Sequence, residues 1–348
     1  MTAVILGATG YTGMVLMRIL ADHPEIDSIV AVSHSSAGTP VTDVDPGLGS
    51  AIAAKLVKTG GRLVAIDDAA PDAADVVFSA LPHGASAEIA GPLAGRVPVI
   101  DLSADFRLAD PSLYQTVYGA PHPHPDLLSR SIYGLTEWYR GDVRTADIIA
   151  NPGCYPTATL LPLLPFVDVV RFPVIVNALS GISGAGRKET RDLLFNERSE
   201  NMNAYNPGRA HRHVPEIEQA LRIRSGATQT ASVVFTPHLV PVKQGMVVTT
   251  VAELSQPLSQ QEATDRLAAA YAEEPFVRPS PRAVPQSRDV RSTNRCDIAV
   301  KVLESDSRLM LFSAIDNLYK GAAGQAVQNM NVRLGIPETT GLRIHGEF

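Results

Sequence analysis

One thiol in this chain is placed where it could act. Of two cysteines in 348 residues, Cys154 lies in IIANPGCYPTATLLPLL (148–164), between an Asn-Pro-Gly turn and an apolar run. Pro152 and Gly153 force a turn and the residues beyond suit a helix, so Cys154 is expected at or near a helix N-terminus. The helix dipole stabilises a thiolate there, and the thiolate rather than the thiol is the nucleophile. Pro156 falls near the first turn, where a missing N–H costs nothing. The other cysteine, Cys296, alternates with Ile298, Val300 and Val302 on one face of an expected strand and reads as a small core residue. No metal is expected at Cys154, because no second cysteine lies nearby and other ligands would have to come from elsewhere.

A nucleophilic sulfur needs an acid/base partner, and the chain has nine histidines. GRAHRHVPEIEQAL places His211 and His213 two apart, so on extended backbone they point in opposite directions and one of them faces the chemistry. His213, closest to the helix opening at Val214-Pro215, is the expected partner, and His211 the alternative. His83 follows a strand end and is expected to line a site, whereas His122 and His124, in a proline-rich loop, read as turn scaffolding. Donors for an anionic substrate are offered by Ser183, Gly184 and Arg187 in SGISGAGR and by Arg107 in DLSADFR.

The second chemical element is a glycine loop. VILGATGYTG sets Gly7, Gly10 and Gly13 directly after a strand and before a helix, the arrangement that lets backbone approach a pyrophosphate at a helix N-terminus. An NAD site usually carries a carboxylate at the end of the second strand. Here that strand ends in Ser33, His34, Ser35 and Ser36, which favours NADP(H). A thiolate beside a hydride carrier implies acyl transfer to sulfur, reduction of the thioester and release of an aldehyde.

These groups must be positioned by two kinds of domain. Up to residue 150, continuous apolar runs at 3–6, 28–33, 75–81, 97–103 and 146–150 alternate with helical stretches, which predicts a Rossmann-type, doubly wound α/β domain with a parallel sheet. From 151 to 317 longer strands predict an α+β domain with a mainly antiparallel sheet, including a hairpin across Ser305-Asp306-Ser307 and a helix over QQEATDRLAAAYAEE. The C-terminal helical stretch, about 318–348, is rich in small residues and is expected to return to the first domain. The proline- and arginine-rich segment 273–294 reads as an ordered surface loop or a flap. A net charge of −6 gives no nucleic-acid footprint. Prolines and charges interrupt the apolar stretch 158–179, so no membrane span is expected. MTAVILGATG lacks a basic leader region, and two cysteines suit a reducing compartment, so the expected location is the cytoplasm.

The blocks LGATGYTG, DLSADFRL, YGLTEWYR, ANPGCYPTATLLPL, SGISGAGR, HRHVPEI, FTPHLVPVKQGM and DNLYKGAAGQAVQNMN together resemble the N-acetyl-γ-glutamyl-phosphate reductases of arginine biosynthesis, in order and over residues 3 to about 342. The resemblance implies NADPH-dependent reduction of an acyl phosphate, a small-molecule substrate, to its semialdehyde. It also implies a homo-oligomer, dimer or tetramer, with Cys154 as nucleophile and His213 as acid/base. Cofactor contacts are implied for Gly10, Tyr11, Thr12, Gly13, the Ser33–Ser36 turn and Asn317. Relatives often carry arginine where this chain has His34. A sister group acts on carrier-protein-linked aminoadipyl or glutamyl phosphates and is the alternative substrate class. Aspartate-semialdehyde dehydrogenases share the architecture but not the HRHVPE and DNLYKGAAGQAVQNMN blocks. A catalytically silent NADP sensor is the alternative of another kind.

Overall fold

The computed structural model describes residues 1–226, 230–280, 282 and 284–346. Two residues of the proline- and arginine-rich segment and the last two of the C-terminal stretch therefore lie outside the described residues. The chain divides into two compact units, Met1–Pro152 with Ala322–Leu342, and Gly153–Gly321 with the tail from Arg343. The tail thus departs from the expected 318–348 return. Its backbone is taken up by the second unit, where Asn294 N donates to Arg343 O and Arg295 Nη1 to Ile344 O, each at 2.9 Å.

The first unit holds six strands, β1 (Thr2–Leu6), β2 (Ser28–Val32), β3 (Val76–Ser79), β4 (Val99–Asp101), β5 (Ser131–Tyr133) and β6 (Ile148–Ala150). All pairings are parallel, in the order β2-β1-β3-β4-β6-β5. Val4, Val30, Val77, Val99 and Ile148 share one buried cluster on one face, and Ile5, Ala31, Phe78, Ile100 and Ile149 on the other are also buried, as expected of a sheet covered on both faces. Helix α1 (Tyr11–Asp22) follows β1, and α2 (Ala85–Ala90) follows β3. The strand β5 was not foreseen from sequence, because three half-buried residues at a sheet edge give no periodic signal.

The second unit opens with α3 (Cys154–Leu163), buried along its length beyond Cys154. Its sheet contains β7 (Val170–Gly181), β8 (Asn203–Ala204), β9 (Val233–Val240), β10 (Met246–Leu254), β11 (Val277–Pro279), β12 (Cys296–Leu303) and β13 (Arg308–Ile315). The order is β11-β12-β13-β10-β7-β9-β8; four pairings are antiparallel, while β7–β9 and β11–β12 are parallel. Helix α4 (His213–Arg224) precedes β9, and α5 (Gln260–Ala270) starts with a Ser259–Glu262 capping box. The hairpin β12–β13 turns through Ser307 in the left-handed region. In the proline- and arginine-rich segment, Arg278 clasps Asp297 and Arg282 pairs with Asp289, so its described part is tied down.

The last helix, α6 (Gly324–Arg333), follows a π-helical turn at Tyr319–Ala323 and belongs to the first unit. It is polar yet buried, because amides bond where apolar side chains would otherwise pack. Asn329 Nδ2 donates to Gly134 O (2.9 Å) and Asn151 Oδ1 (3.0 Å), and Gln325 Nε2 to Thr136 Oγ1 (2.7 Å). A Cβ on Gly134 would lie 2.5 Å from Asn329 Nδ2, which fixes that position as glycine.

Candidate active site

In the first unit the glycine loop is shaped by contacts that admit no side chain. Gly7 has φ +81°, and a Cβ there would stand 2.6 Å from Ala80 O; on Gly13 it would stand 2.5 Å from Gly7 O. Gly7 N and Ala8 N both donate to Val32 O, at 3.2 and 3.0 Å, drawing the loop to the end of β2. Helix α1 starts from Gly10 with no side-chain cap. A cavity of about 440 Å³ opens at this sheet end, lined by Gly7, Thr9, Gly10, Ser33, His34 and Ser35, with Ile66, Leu81, Pro82 and Ile89 as apolar wall. It lies at the carboxyl ends of β1, β2 and β3, beside the switch point between β1 and β3 at which such sheets bind nucleotides. Backbone N–H groups, hydroxyls and an imidazole line it without a carboxylate, so these residues fit a dinucleotide bearing a 2′-phosphate.

Of the expected cofactor residues, Gly13 acts through its missing Cβ, and Tyr11, Thr12 and Ser36 fall outside that lining. Thr9, which the spacing argument passed over, is inside it. His83 is exposed on the loop after β3, its ring 5.4 Å from that of Tyr118. Arg107 is buried, donating from Nε to Asn151 O (2.9 Å) and from Nη2 to Leu102 O (3.0 Å). Its Nε thus fixes the backbone just before the Pro152-Gly153 turn, and its Nη2 the residue after β4. His122 is buried against Tyr114 and Phe106, and its Nδ1 accepts from His124 N (3.0 Å), consistent with scaffolding. Two buried aspartates support the loop bearing Pro82 and His83. Asp105 accepts from Gly84 N, Ala87 N and Tyr114 OH, all at 2.8 Å. Asp101 accepts from Ser86 and Ser103; burial pushes its carboxyl up to about 6 against those two bonds.

In the second unit Cys154 is the first residue of α3, with Gly153 as N-cap, and is half-buried, whereas Cys296 is fully buried. His213 is the first residue of α4. The two helix starts are tied together: Glu216, 2% exposed on α4, accepts from Gly153 N at 2.9 Å. A Cβ on Gly321 would stand 2.7 Å from Cys154 Cβ, so backbone from the π-helical turn lies against the cysteine. Nothing in the sequence marks Glu216 or Gly321 as part of this site, because a sequence does not reveal a close approach such as that of Gly321 to Cys154, across 167 residues of chain.

The same unit separates the paired histidines. His211 is buried beside Tyr155, Tyr205 and Phe235, and its Nδ1 accepts from His213 N at 3.2 Å. Burial, with Arg212 adding to it, lowers its pKa to about 4, so it is neutral at pH 7. His213 stands 5.8 Å, ring to ring, from Tyr155, the residue after Cys154. Arg209 is held by both oxygens of Glu218 at 2.9 Å. Asn317 is buried, accepting from Gly245 N (2.8 Å) and donating to Ser183 Oγ (3.0 Å), so it joins the loops after β7 and before β10. Gly184 packs close to Ser180, and Arg187 is exposed.

Known proteins share this fold. Residues 2–146 match the model of the semialdehyde dehydrogenase NAD binding domain, and residues 154–317 that of the semialdehyde dehydrogenase dimerisation domain. Aspartate semialdehyde dehydrogenase II from Vibrio cholerae, solved with ASA, superposes with a TM-score of 0.69 at 19% identity, covering 96% of this chain and 98% of that one. The Candida albicans enzyme solved with NADP gives a TM-score of 0.60 at 17% identity, covering 95% and 97%. Fold and family models together place the chain among the semialdehyde dehydrogenases. The N-acetyl-gamma-glutamyl-phosphate reductase of Halothermothrix orenii is 41% identical over 99% of this chain and 98% of its own, and that of Symbiobacterium thermophilum 44% over 97% and 96%. The chain belongs to the N-acetyl-γ-glutamyl-phosphate reductase family.

Proposed function

We propose that this chain reduces N-acetyl-L-glutamyl 5-phosphate to N-acetyl-L-glutamate 5-semialdehyde with NADPH, releasing phosphate, as a step of arginine biosynthesis. The observation that carries the reading is Cys154 and His213 each opening a helix, with Glu216 tying one start to the other. The Cys154 thiolate attacks the acyl carbon, phosphate departs with the bonding pair, and a thioester remains on sulfur. The glycine-loop residues Gly7, Thr9 and Gly10 would hold NADPH, which would supply the hydride for reduction of this thioester. His213 gives a proton to the oxygen of the resulting hemithioacetal and takes it back as the C–S bond breaks, freeing aldehyde and thiolate. His211, neutral and committed through Nδ1, orients the His213 backbone. Ser183, Gly184 and Arg187 are the proposed phosphate-side donors, and Asn317 holds Ser183 in place. The relatives' names do not favour the carrier-linked substrate or the silent sensor.

The working form is proposed to be a homo-oligomer in the cytoplasm. One face of the β9-β7-β10 sheet carries Val234, Ile175 and Val251 in one cross-strand row, and Val234, Ile175 and Leu179 are 49%, 46% and 42% exposed. A second copy of the chain would cover this face. Among the described residues, no helix is long and apolar enough to cross a membrane.

The test is the reverse reaction, supplying the semialdehyde, phosphate and NADP and following NADPH absorbance. Cys154→Ser is expected to abolish turnover with NADPH binding retained, and His213→Asn to slow it by roughly 10² to 10⁴. Near-normal phosphate-dependent turnover in Cys154→Ser would falsify the covalent route.

A further inference from the structure

The proposed cofactor carries a 2′-phosphate, yet the turn that should receive it, Ser33 to Gly38, brings hydroxyls and an imidazole but no permanent cation. The fold supplies one from elsewhere. The segment 62–66 runs alongside this turn: Ser33 N donates to Val64 O (3.0 Å), Gly38 N to Leu63 O (2.8 Å) and Leu63 N to Thr39 O (2.9 Å). Ser36 O accepts from Thr39 N at 3.1 Å, so Ser36 and Gly38 belong to one tight turn. Arg62 reaches into that turn, its Nη1 donating to Gly38 O at 2.6 Å. No carboxylate pairs with Arg62 among the described residues, in contrast to Arg18, which Asp45 holds through both oxygens. Ile66, four residues on, lines the same cavity as Ser33, His34 and Ser35.

We propose that Arg62 distinguishes NADPH from NADH, its guanidinium meeting the 2′-phosphate at the Ser33–Gly38 turn. The inference rests on the NADPH reading above and adds the specificity residue to it. A guanidinium has five N–H donors in a fork suited to phosphate oxygens, so the bond to Gly38 anchors the group and leaves donors over. Neutral hydroxyls alone would give NADPH little advantage over NADH.

Binding to the full-length protein is the test, read by calorimetry with NADPH, NADH, 2′,5′-ADP and ADP as probes. Arg62→Gln is the informative variant, because its amide can still donate to Gly38 while the charge is gone. It is expected to weaken NADPH and 2′,5′-ADP about tenfold and to leave NADH and ADP within twofold, the size of one charge-assisted bond. Added salt should narrow the wild-type gap between NADPH and NADH, since Arg62 is exposed. Equal losses for all four probes would assign Arg62 to holding the turn, and unchanged affinities would leave it no role; either result overturns the proposal. If Arg62→Gln does not fold, Arg62→Lys decides on the same ratio: with its charge kept, NADPH must stay at least fivefold tighter than NADH. Wild-type protein that binds NADPH and NADH equally sinks this inference alone. Wild-type protein that binds neither sinks the cofactor reading beneath it.

Discussion

The two units use the same piece of backbone physics for different ends. Helix α1 in the first unit and α3 in the second both start from a glycine N-cap without a side-chain cap. At α1 the start faces a cavity lined by Gly7, Thr9 and Gly10, an opening for a ligand's negative charge. At α3 the N-cap N–H is already taken by Glu216, and the first helical residue is the cysteine itself. On the proposed function, one helix start would offer its positive end to a cofactor phosphate, the other to a thiolate on its own first side chain. A positive helix end alone does not say which; what occupies the first N–H groups does.

The comparison breaks most easily at sulfur. Alkylation by iodoacetamide near neutral pH should label half-buried Cys154 at least 10²-fold faster than fully buried Cys296, because reactivity follows thiolate character and access. Equal rates would remove the contrast. Gly321→Ala comes next. Its Cβ would stand 2.7 Å from Cys154 Cβ, and a displaced nucleophile should cost kcat about 10²-fold, the scale for a misplacement near 1 Å. NADPH affinity should stay within threefold. The melting loss of Gly321→Ala should shrink in a Cys154→Gly background if that contact is the cause. Gly13→Ala is the mirror image in the first unit. The added Cβ meets Gly7 O at 2.5 Å and Ala8 Cα at 2.7 Å, so the loop must shift; NADPH binding should weaken about tenfold, the equivalent of 1.4 kcal/mol, while Cys154 labelling is unchanged. If Gly13→Ala slowed labelling as much as it weakened binding, the two helix starts would not be separable.

The glycine loop and Cys154 were legible because their signals are local, a spacing in one case and a turn before a helix in the other. The helix start at Cys154, the hairpin β12–β13 and the capped α5 could all be read from neighbouring residues. Glu216 meeting Gly153, Gly321 meeting Cys154 and Arg62 meeting Gly38 could not, since each joins segments distant in sequence. The arginines show the same limit from the other side. Arg107 reads as an anion donor in sequence, and Arg209 lies two residues from the paired histidines. The fold points two Arg107 donors at backbone carbonyls and closes Arg209 onto Glu218. A residue type indicates what a side chain is able to bind, while its partner is decided by elements that pack from elsewhere.

A further test separates the units by the sign of a pH dependence. Asp101 in the first unit is raised from 3.8 to about 6, chiefly by burial, with the bond from Ser86 opposing and the charge of Asp105 adding. Its protonated form is favoured on folding, so its contribution is complete below about pH 4 and is lost as pH rises through 6. His211 in the second unit is lowered from 6.5 to about 4, by burial first and Arg212 second. Its neutral form is favoured on folding, so its contribution is complete above about pH 6.5 and is lost as pH falls through 4. Unfolding free energies from urea titrations between pH 4 and 7.5 should therefore diverge in opposite directions. Relative to wild type, Asp101→Asn should gain as pH rises and His211→Asn should gain as pH falls, each by up to about 3 kcal/mol across its window. Subtracting wild type at each pH removes titrations the variants share with it, so the slope belongs to the replaced group. A flat difference for Asp101→Asn would mean that its serine donors keep the carboxylate ionised despite burial. For His211→Asn it would mean that the ring takes up a proton inside its aromatic pocket, and the assignment of proton transfer to His213 alone would lose its electrostatic basis.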